Sequence, residues 1–368
     1  MPNENSLANL KIFALVTDGH GEKGGIGRYN VALLDALGLM PEIKRVTVQA
    51  RRAVPPKRAF DERVRYVRPR ATKTALLASI TREALSGEVH DVVFCGHLNM
   101  VPLAWWLARH WRAKLWVQMH GIECWQRPRA HVRALAERAD LVTCVSRYTR
   151  KRVLEWCDLE PTKIRVLPNT LSEQFNTPSL PRGVREVSAL GGKSTLRALT
   201  VARLSADERY KGHDVMIEAI ALLEPQGMRV QYVIAGDGDD RCRLESLAKC
   251  RHVDHRVRFL GHVPESDLPS LYDEADVFVM PSTGEGFGIV FLEARQRGCA
   301  VIASNADGSM DPLRDGADGY LVPPSDPLAL ADLLYSLARS GAAPGLSANL
   351  FSKSAFDAHV KRLLPLLS

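Results

Sequence analysis

Short apolar runs alternate with stretches of helical periodicity from one end of the chain to the other, and this alternation limits the fold more than any other feature. Strand-like runs stand at 12–16, 46–49, 64–67, 92–95, 115–119, 141–145 and 164–167, and again at 197–201, 230–235, 257–260, 277–280 and 300–303. Such a pattern argues for parallel sheets covered by helices on both faces. The rhythm breaks once, over a polar, glycine-containing segment at 174–193, which sets a domain boundary near residue 175. At 368 residues the chain exceeds one typical core, and the length favours two domains of similar size. The expected fold is therefore α/β: two doubly wound Rossmann-like domains, 1–175 and 176–353, facing a central cleft. A last helical segment over 354–368 is expected to fold back onto the first domain. Ligands of such sheets bind at the carboxyl ends of the strands, so two facing domains offer room for two substrates. No short-period repeat or low-complexity tract is present, which removes solenoids and disordered scaffolds.

Composition narrows the function classes only slightly. No run of eighteen apolar residues occurs, and the start, MPNENSLANLKIFALV, lacks a basic segment, a long apolar stretch and a small-residue cleavage site. A soluble chain in the cytoplasm is expected. The seven cysteines, Cys95, Cys124, Cys144, Cys157, Cys242, Cys250 and Cys299, show no C-x-x-C pair and no zinc-ligand spacing, so they read as reduced thiols, mostly filling cores. A net charge of +7 fits a polyanionic partner, a membrane surface or simply a solvated basic exterior. The charge is unevenly spread. Arg51, Arg52, Lys57, Arg58, Arg63, Arg65, Arg68, Arg70 and Lys73 crowd one segment, while Arg109, His110, Arg112 and Lys114 interleave with Trp105, Trp106, Trp111 and Trp116. Basic residues mixed with tryptophan fit a face resting on anionic headgroups at the inner side of a plasma membrane. They fit equally a solvated basic face over core tryptophans.

Five constellations bear chemistry. The stretch PSTGEGFGIVFLEARQRG at 281–298 sets Glu285 and Glu293 eight residues apart across a strand-to-helix turn. Gly284, Gly286 and Gly288 leave the backbone bare where N–H groups open the helix, so an anionic or hydroxyl-rich ligand could approach closely. An ordinary turn with a solvated glutamate would carry the same residues. Gly24-Gly25-Ile26-Gly27-Arg28-Tyr29 follows the first strand and precedes a helical pattern at 31–39. It is a phosphate-approach loop in place. It is neither the dinucleotide fingerprint, lacking an acidic residue after the second strand where Gln49 and Ala50 stand, nor a P-loop, lacking Gly-Lys-Ser/Thr. In the second half Arg203 and Lys211-Gly212 follow a strand; two such cations could neutralise a diphosphate, Arg203 as a bidentate fork and Lys211 as a point charge. Gly236-Asp237-Gly238 follows the next strand and lines the same rim. His120, ahead of Gly121 at the end of the strand 115–119, can hydrogen-bond a substrate hydroxyl or handle a proton. Ser146-Arg147-Tyr148 and Pro168-Asn169 end later strands and read as structural.

Taken together, these residues resemble the retaining nucleotide-sugar glycosyltransferases of family 4, with the two-domain GT-B architecture. The resemblance runs from the Gly24-Gly25 loop through His120, Pro168-Asn169, Arg203, Lys211-Gly212, Gly236-Asp237-Gly238, Phe259-Leu260-Gly261 and the Glu285 to Glu293 motif, to Gly319-Tyr320-Leu321-Val322-Pro323. It implies that Glu285 addresses the donor sugar and Glu293 the ribose, that Arg203 and Lys211 meet the donor diphosphate with Gly25 close by, and that His120 lies near the transferred sugar. Gly286, Phe287, Gly288 and Ile289 complete the donor-binding motif. One loop departs from the family: Met310-Asp311-Pro312 stands where Pro-Glu is common, and Ala306-Asp307 partly replaces the preceding glycines.

The implied activity is retaining, metal-independent transfer of a sugar from a UDP- or GDP-sugar, with no cofactor. Its acceptor would be a hydroxyl, expected on a lipid-linked saccharide of bacterial surface-polysaccharide synthesis. Glu285 and Glu293 then look like a clamp on hydroxyls rather than an acid and a base. A transferase acting on a small soluble acceptor, or a nucleotide-sugar-binding protein without turnover, would use much of the same motif set. Nucleic-acid binding rests on charge alone and is not expected.

Overall fold

The computed structural model describes residues 9–19, 24–51, 60–67, 72–175, 195–340 and 350–367. By contact the chain divides into two compact units, Met1–Thr170 with Leu350–Ser368, and Leu171–Asn349. The first contains β1 (Leu10–Val16), β2 (Ile43–Ala50), β3 (Val64–Tyr66), β4 (Val92–Cys95), β5 (Lys114–Met119), β6 (Leu141–Cys144) and β7 (Ile164–Val166). The second contains β8 (Thr195–Val201), β9 (Arg229–Ala235), β10 (Val257–Gly261), β11 (Val277–Met280), β12 (Ala300–Ser304) and β13 (Tyr320–Val322).

The strands pair in the order β3-β2-β1-β4-β5-β6-β7 in one sheet and β10-β9-β8-β11-β12-β13 in the other. Every pairing between these strands is parallel. Parallel sheets are covered on both faces, so their central strands carry no wet side. Accordingly β4, β6, β11 and β12 are buried at every position. Their Val, Ile and Phe side chains stabilise each unit by roughly 1.5–3 kcal/mol per buried residue. In each sheet the strand order reverses once, between β1 and β4 and between β8 and β11. There the chain leaves two neighbouring strands toward opposite faces, opening a crevice at their carboxyl ends.

The chain passes between units earlier than the composition break suggests. Residues 171–175 belong by contact to the second unit, because Phe175 is fully buried and its ring meets Tyr272 edge-on at 5.8 Å. On the return, Thr170 Oγ1 donates to the Phe351 carbonyl at 2.8 Å. Helix Lys353–Leu363 then packs on helix Gly24–Leu39, with Phe356 edge-on to Tyr29 at 5.9 Å and Lys361 paired to Glu42 at 3.1 Å. Of the cysteines, Cys95, Cys124, Cys144, Cys157 and Cys299 are buried and Cys242 and Cys250 exposed, all as free thiols. Among the described residues no helix is long and apolar enough to cross a membrane.

Candidate functional site

The crevice between β8 and β11 gathers most of the second-unit residues singled out by the sequence. Arg203 leaves the end of β8, and Lys211 closes a short 3-10 segment, Ala206–Lys211. Glu285 stands in the turn between β11 and helix Ile289–Gln296. Two backbone devices hold the loops together. The Thr283 amide donates to the Tyr210 carbonyl at 2.8 Å, and Gly212 adopts φ 81° with its Cα so close to Pro281 that a β-carbon would lie 2.7 Å from the Pro281 carbonyl oxygen. Only glycine combines that dihedral with that approach.

Lys211 Nζ thereby comes to 3.3 Å from Glu285 Oε2, both side chains being largely buried. Burial pulls the Lys211 ammonium down, yet the Glu285 and Glu208 carboxylates outweigh it and leave its pKa above the usual lysine value. The lysine is therefore a fixed cation at neutral pH. Arg203 is mostly exposed and donates from Nη2 to Glu208. The Gly236-Asp237-Gly238 turn lies against the same strand end, where the Leu204 amide donates to the Asp237 carbonyl at 3.0 Å and Gly236 bridges Gly261. Asp237 itself is exposed, and its Oδ1 accepts from the Gly238 amide.

The rest of the 281–298 motif is inward-facing. Gly288 caps the helix with φ 82°, and Phe287, Ile289 and Glu293 are buried. Glu293 lies one turn into the helix. It is fully buried, with Oε2 accepting from the Tyr272 hydroxyl at 2.9 Å.

A residue that sequence reasoning noted only as a departure controls this turn. Asp307 is fully buried. Its Oδ2 accepts from Ser282 Oγ at 2.6 Å and from the Glu285 amide at 2.8 Å, and its Oδ1 from the amide and hydroxyl of Ser309. Next to it, the Gly308 amide donates to the Glu285 carbonyl at 2.8 Å, so 307–308 grips the backbone of Glu285 on both sides. A β-carbon on Gly308 would stand 2.1 Å from the Gly286 carbonyl oxygen. Burial raises the Asp307 carboxyl above its usual range despite these four donors. The sequence signal was the acid in place of a glycine.

In the first unit, His120 follows β5 and is buried. Its Nε2 lies 3.1 Å from the Gly96 carbonyl at the end of β4, its amide donates to Glu123 Oε1 at 2.6 Å, and Tyr29 meets its ring edge-on at 5.0 Å. Burial pushes the imidazole down to about 4, against the Glu123 carboxylate and the Gly96 bond. A neutral ring whose Nε2–H faces a carbonyl presents Nδ1 as an acceptor. Gly25 does not sit in a free loop: the helix begins at Gly24, and Gly25 is exposed in its first turn. There its amide has no intrahelical acceptor. Ser146 caps helix Arg147–Leu154, accepting from the Thr149 amide at 3.0 Å, a structural role as expected.

The tryptophans divide into two sets. Trp111 and Trp116 are core residues, whereas Trp106 is 43% exposed and stacks on His110 at 5.7 Å. Trp105, with Arg138 over its ring at 5.6 Å, borders a cavity of about 300 Å³ with Arg109, Arg112 and Arg138 around it. Of the other basic segment, Arg52, Lys57, Arg58, Arg68 and Arg70 lie outside the described residues. Arg65 pairs with Glu83, and Arg63 donates to the carbonyls of Gly38 and Met40.

Comparison with known proteins gives the family of both halves. Residues 23–174 match the model of Glycosyltransferase Family 4, and residues 193–348 match that of Glycosyl transferases group 1. A D-inositol 3-phosphate glycosyltransferase of Corynebacterium kroppenstedtii is 35% identical over 188 residues, covering 49% of this chain and 41% of that protein. A phosphatidyl-myo-inositol mannosyltransferase of Mycobacterium leprae is 41% identical over 135 residues, 36% of this chain and 35% of the relative. The chain thus spans less than half the length of these curated relatives. Anabaena HepE, crystallised with UDP and glucose, superposes with a TM-score of 0.72 at 19% identity over 97% of this chain and all of that one, a likeness of fold.

Proposed function

Because the chain belongs to the family 4 and group 1 glycosyltransferases of GT-B fold, we propose that it transfers a sugar from a UDP- or GDP-sugar to an acceptor hydroxyl with retention at C1 and without a metal. The observation that carries this reading is the meeting of Lys211 with Glu285 beside the end of β8, where Arg203 also stands. As the C1–O bond to the diphosphate breaks, negative charge builds on the leaving oxygens. Arg203 and Lys211, together with the amides opening helix Ile289–Gln296, stabilise it. The acceptor oxygen bonds to C1 on the face the diphosphate leaves, and its proton passes to a leaving phosphate oxygen. Glu285 holds hydroxyls of the donor sugar, and His120 a hydroxyl of the transferred sugar through Nδ1. The pairing of Asp237 and the glycines of 236–238 and 286–288 with backbone turns suits close approach of the nucleotide.

For the acceptor we favour a lipid-linked saccharide of surface-polysaccharide synthesis, met at an anionic membrane. Exposed Trp106, stacked on His110, and the cavity that Trp105 borders with Arg109, Arg112 and Arg138 support it, as does the likeness to a phosphatidyl-myo-inositol mannosyltransferase. A small phosphorylated acceptor is the second reading, favoured by the likeness to an inositol 3-phosphate enzyme.

A thermal-shift panel of UDP-, GDP- and ADP-sugars tests the donor. At one hundred times its dissociation constant the right one adds about 2.7 kcal/mol to folded-state stability, and Lys211→Ala should abolish the shift. No stabilisation by any nucleotide sugar would remove the proposal. Flotation with anionic liposomes at low salt separates the acceptors: binding lost in Trp106→Ala supports the lipid reading, and no binding removes it.

A further inference from the structure

Arg203 and Lys211 are both held by a carboxylate that the donor reading does not use. Glu208 lies between them in the loop, five residues after Arg203 and three before Lys211. The 3-10 segment Ala206–Lys211 is interrupted at this residue, where φ −119° and ψ 25° leave the helical region. Its side chain is only 13% exposed. Oε1 accepts from Arg203, while Oε2 has no hydrogen-bond partner and lies 3.9 Å from Lys211 Nζ. One carboxylate therefore bridges two cations 8 residues apart in sequence, and Glu285 takes the remaining side of the lysine.

The local charge is balanced by this arrangement: Arg203 and Lys211 against Glu208 and Glu285. A nucleoside diphosphate adds at least two negative charges and seeks the same N–H donors. With Glu208 in place, the phosphate oxygens compete with a resident carboxylate for Arg203 and meet its charge near Lys211. A carboxylate with an unused oxygen is a poor permanent partner in a buried setting, but a serviceable occupant of a site that another anion fills during turnover.

We propose that Glu208 is an internal counter-anion of the donor site, which keeps Arg203 and Lys211 in place before the donor arrives and weakens the hold on the diphosphate afterwards. The inference rests on the donor reading above. Its consequence is kinetic. The nucleoside diphosphate left after transfer departs faster than two cations alone would allow.

Calorimetric titration of the full chain with UDP and with GDP tests this. Glu208→Gln keeps the shape and removes the charge; it should bind the preferred nucleoside diphosphate about tenfold more tightly than wild type. It should also show stronger product inhibition. Arg203→Ala should bind more weakly, and adding Glu208→Gln to it should recover little, because the carboxylate acts mainly through Arg203. Glu208→Ala carries the same expectation, so a variant that fails to fold leaves the other to decide. If wild type binds a nucleoside diphosphate, Arg203→Ala binds less, and both Glu208 variants bind equally or less, the counter-anion role is overturned while the donor reading stands. If neither wild type nor the Glu208 variants bind any nucleoside diphosphate, both fall together. A purely structural Glu208 would lower the melting temperature without any gain in affinity.

Discussion

Asp307 shows at the scale of one residue how a buried charge is used for geometry. Its four donors do not fully repay desolvation, since the carboxyl remains above its usual pKa; the gain is a fixed backbone at Glu285. Asp307→Asn would keep volume but turn one acceptor oxygen into a donor facing N–H or O–H groups. Hydrogen bonds to charged groups contribute ~1.5–3 kcal/mol each, so a loss of about 2 kcal/mol in urea unfolding is expected, with weaker donor binding. Unchanged stability would show that the four contacts are not coupled to the turn. Sequence reading singled out Arg203, Lys211, Glu285 and Glu293, because acids, cations and glycines at strand ends are visible in a string. It passed over Glu208 and saw Asp307 only as a substitution. Nothing local reveals that a carboxylate is buried, or that Glu293 already has the Tyr272 hydroxyl on one oxygen.

At the scale of elements, the strands were legible wherever an apolar run reached four residues, as in β4 and β11, which the sequence delimits as the structure does. β13 was not, because its run Tyr320-Leu321-Val322 is closed off by Gly319 and Pro323, which leaves too little for a period to show. Helix Gly24–Leu39 starts seven residues before the apolar pattern does, since three glycines in its first turn argue against a helix by propensity. Tertiary packing overrides that weak preference: Tyr29 is buried between His120 and Phe356. Loops depend more heavily on contacts. Gly212→Ala should cost roughly 1–3 kcal/mol through its positive φ, more if Pro281 cannot yield, and should separate Lys211 from Glu285. Melting temperature together with donor affinity checks this; wild-type values for both would mean that the β8 and β11 loops are placed independently.

For the whole molecule, pH dependence follows from three buried histidines spread over both units. His90, His120 and His213 are each pushed by burial down to about 4 from an ordinary 6.5. The unfolded chain therefore takes up protons first as pH falls below 6.5, and stability declines until about pH 4, by on the order of 3 kcal/mol per ring. His90, packed between Phe13 and Trp111 with neither ring nitrogen hydrogen-bonded, offers the clean test. His90→Phe should flatten the slope of stability against pH in the first unit without removing a hydrogen bond, and an unaltered slope between pH 7 and 4.5 would contradict the assignment.

The sequence by itself determined the α/β class, nearly every strand, the presence of two doubly wound halves and the residue types gathered at strand ends. These follow from side-chain periodicity and backbone preference, which act over a few residues. Only the tertiary structure decided which groups meet. The contact of Lys211 with Glu285 spans 74 positions and exists because β8 and β11 are neighbours in the sheet although two strands intervene in the chain. The neighbouring of β11 and β12 likewise brings 307–308 to Glu285, and packing within the first unit buries Trp116 and leaves Trp106 exposed. Strand neighbours are chosen by the packing of whole faces, and so the chemistry of the crevice is fixed one level above the pattern that makes its strands.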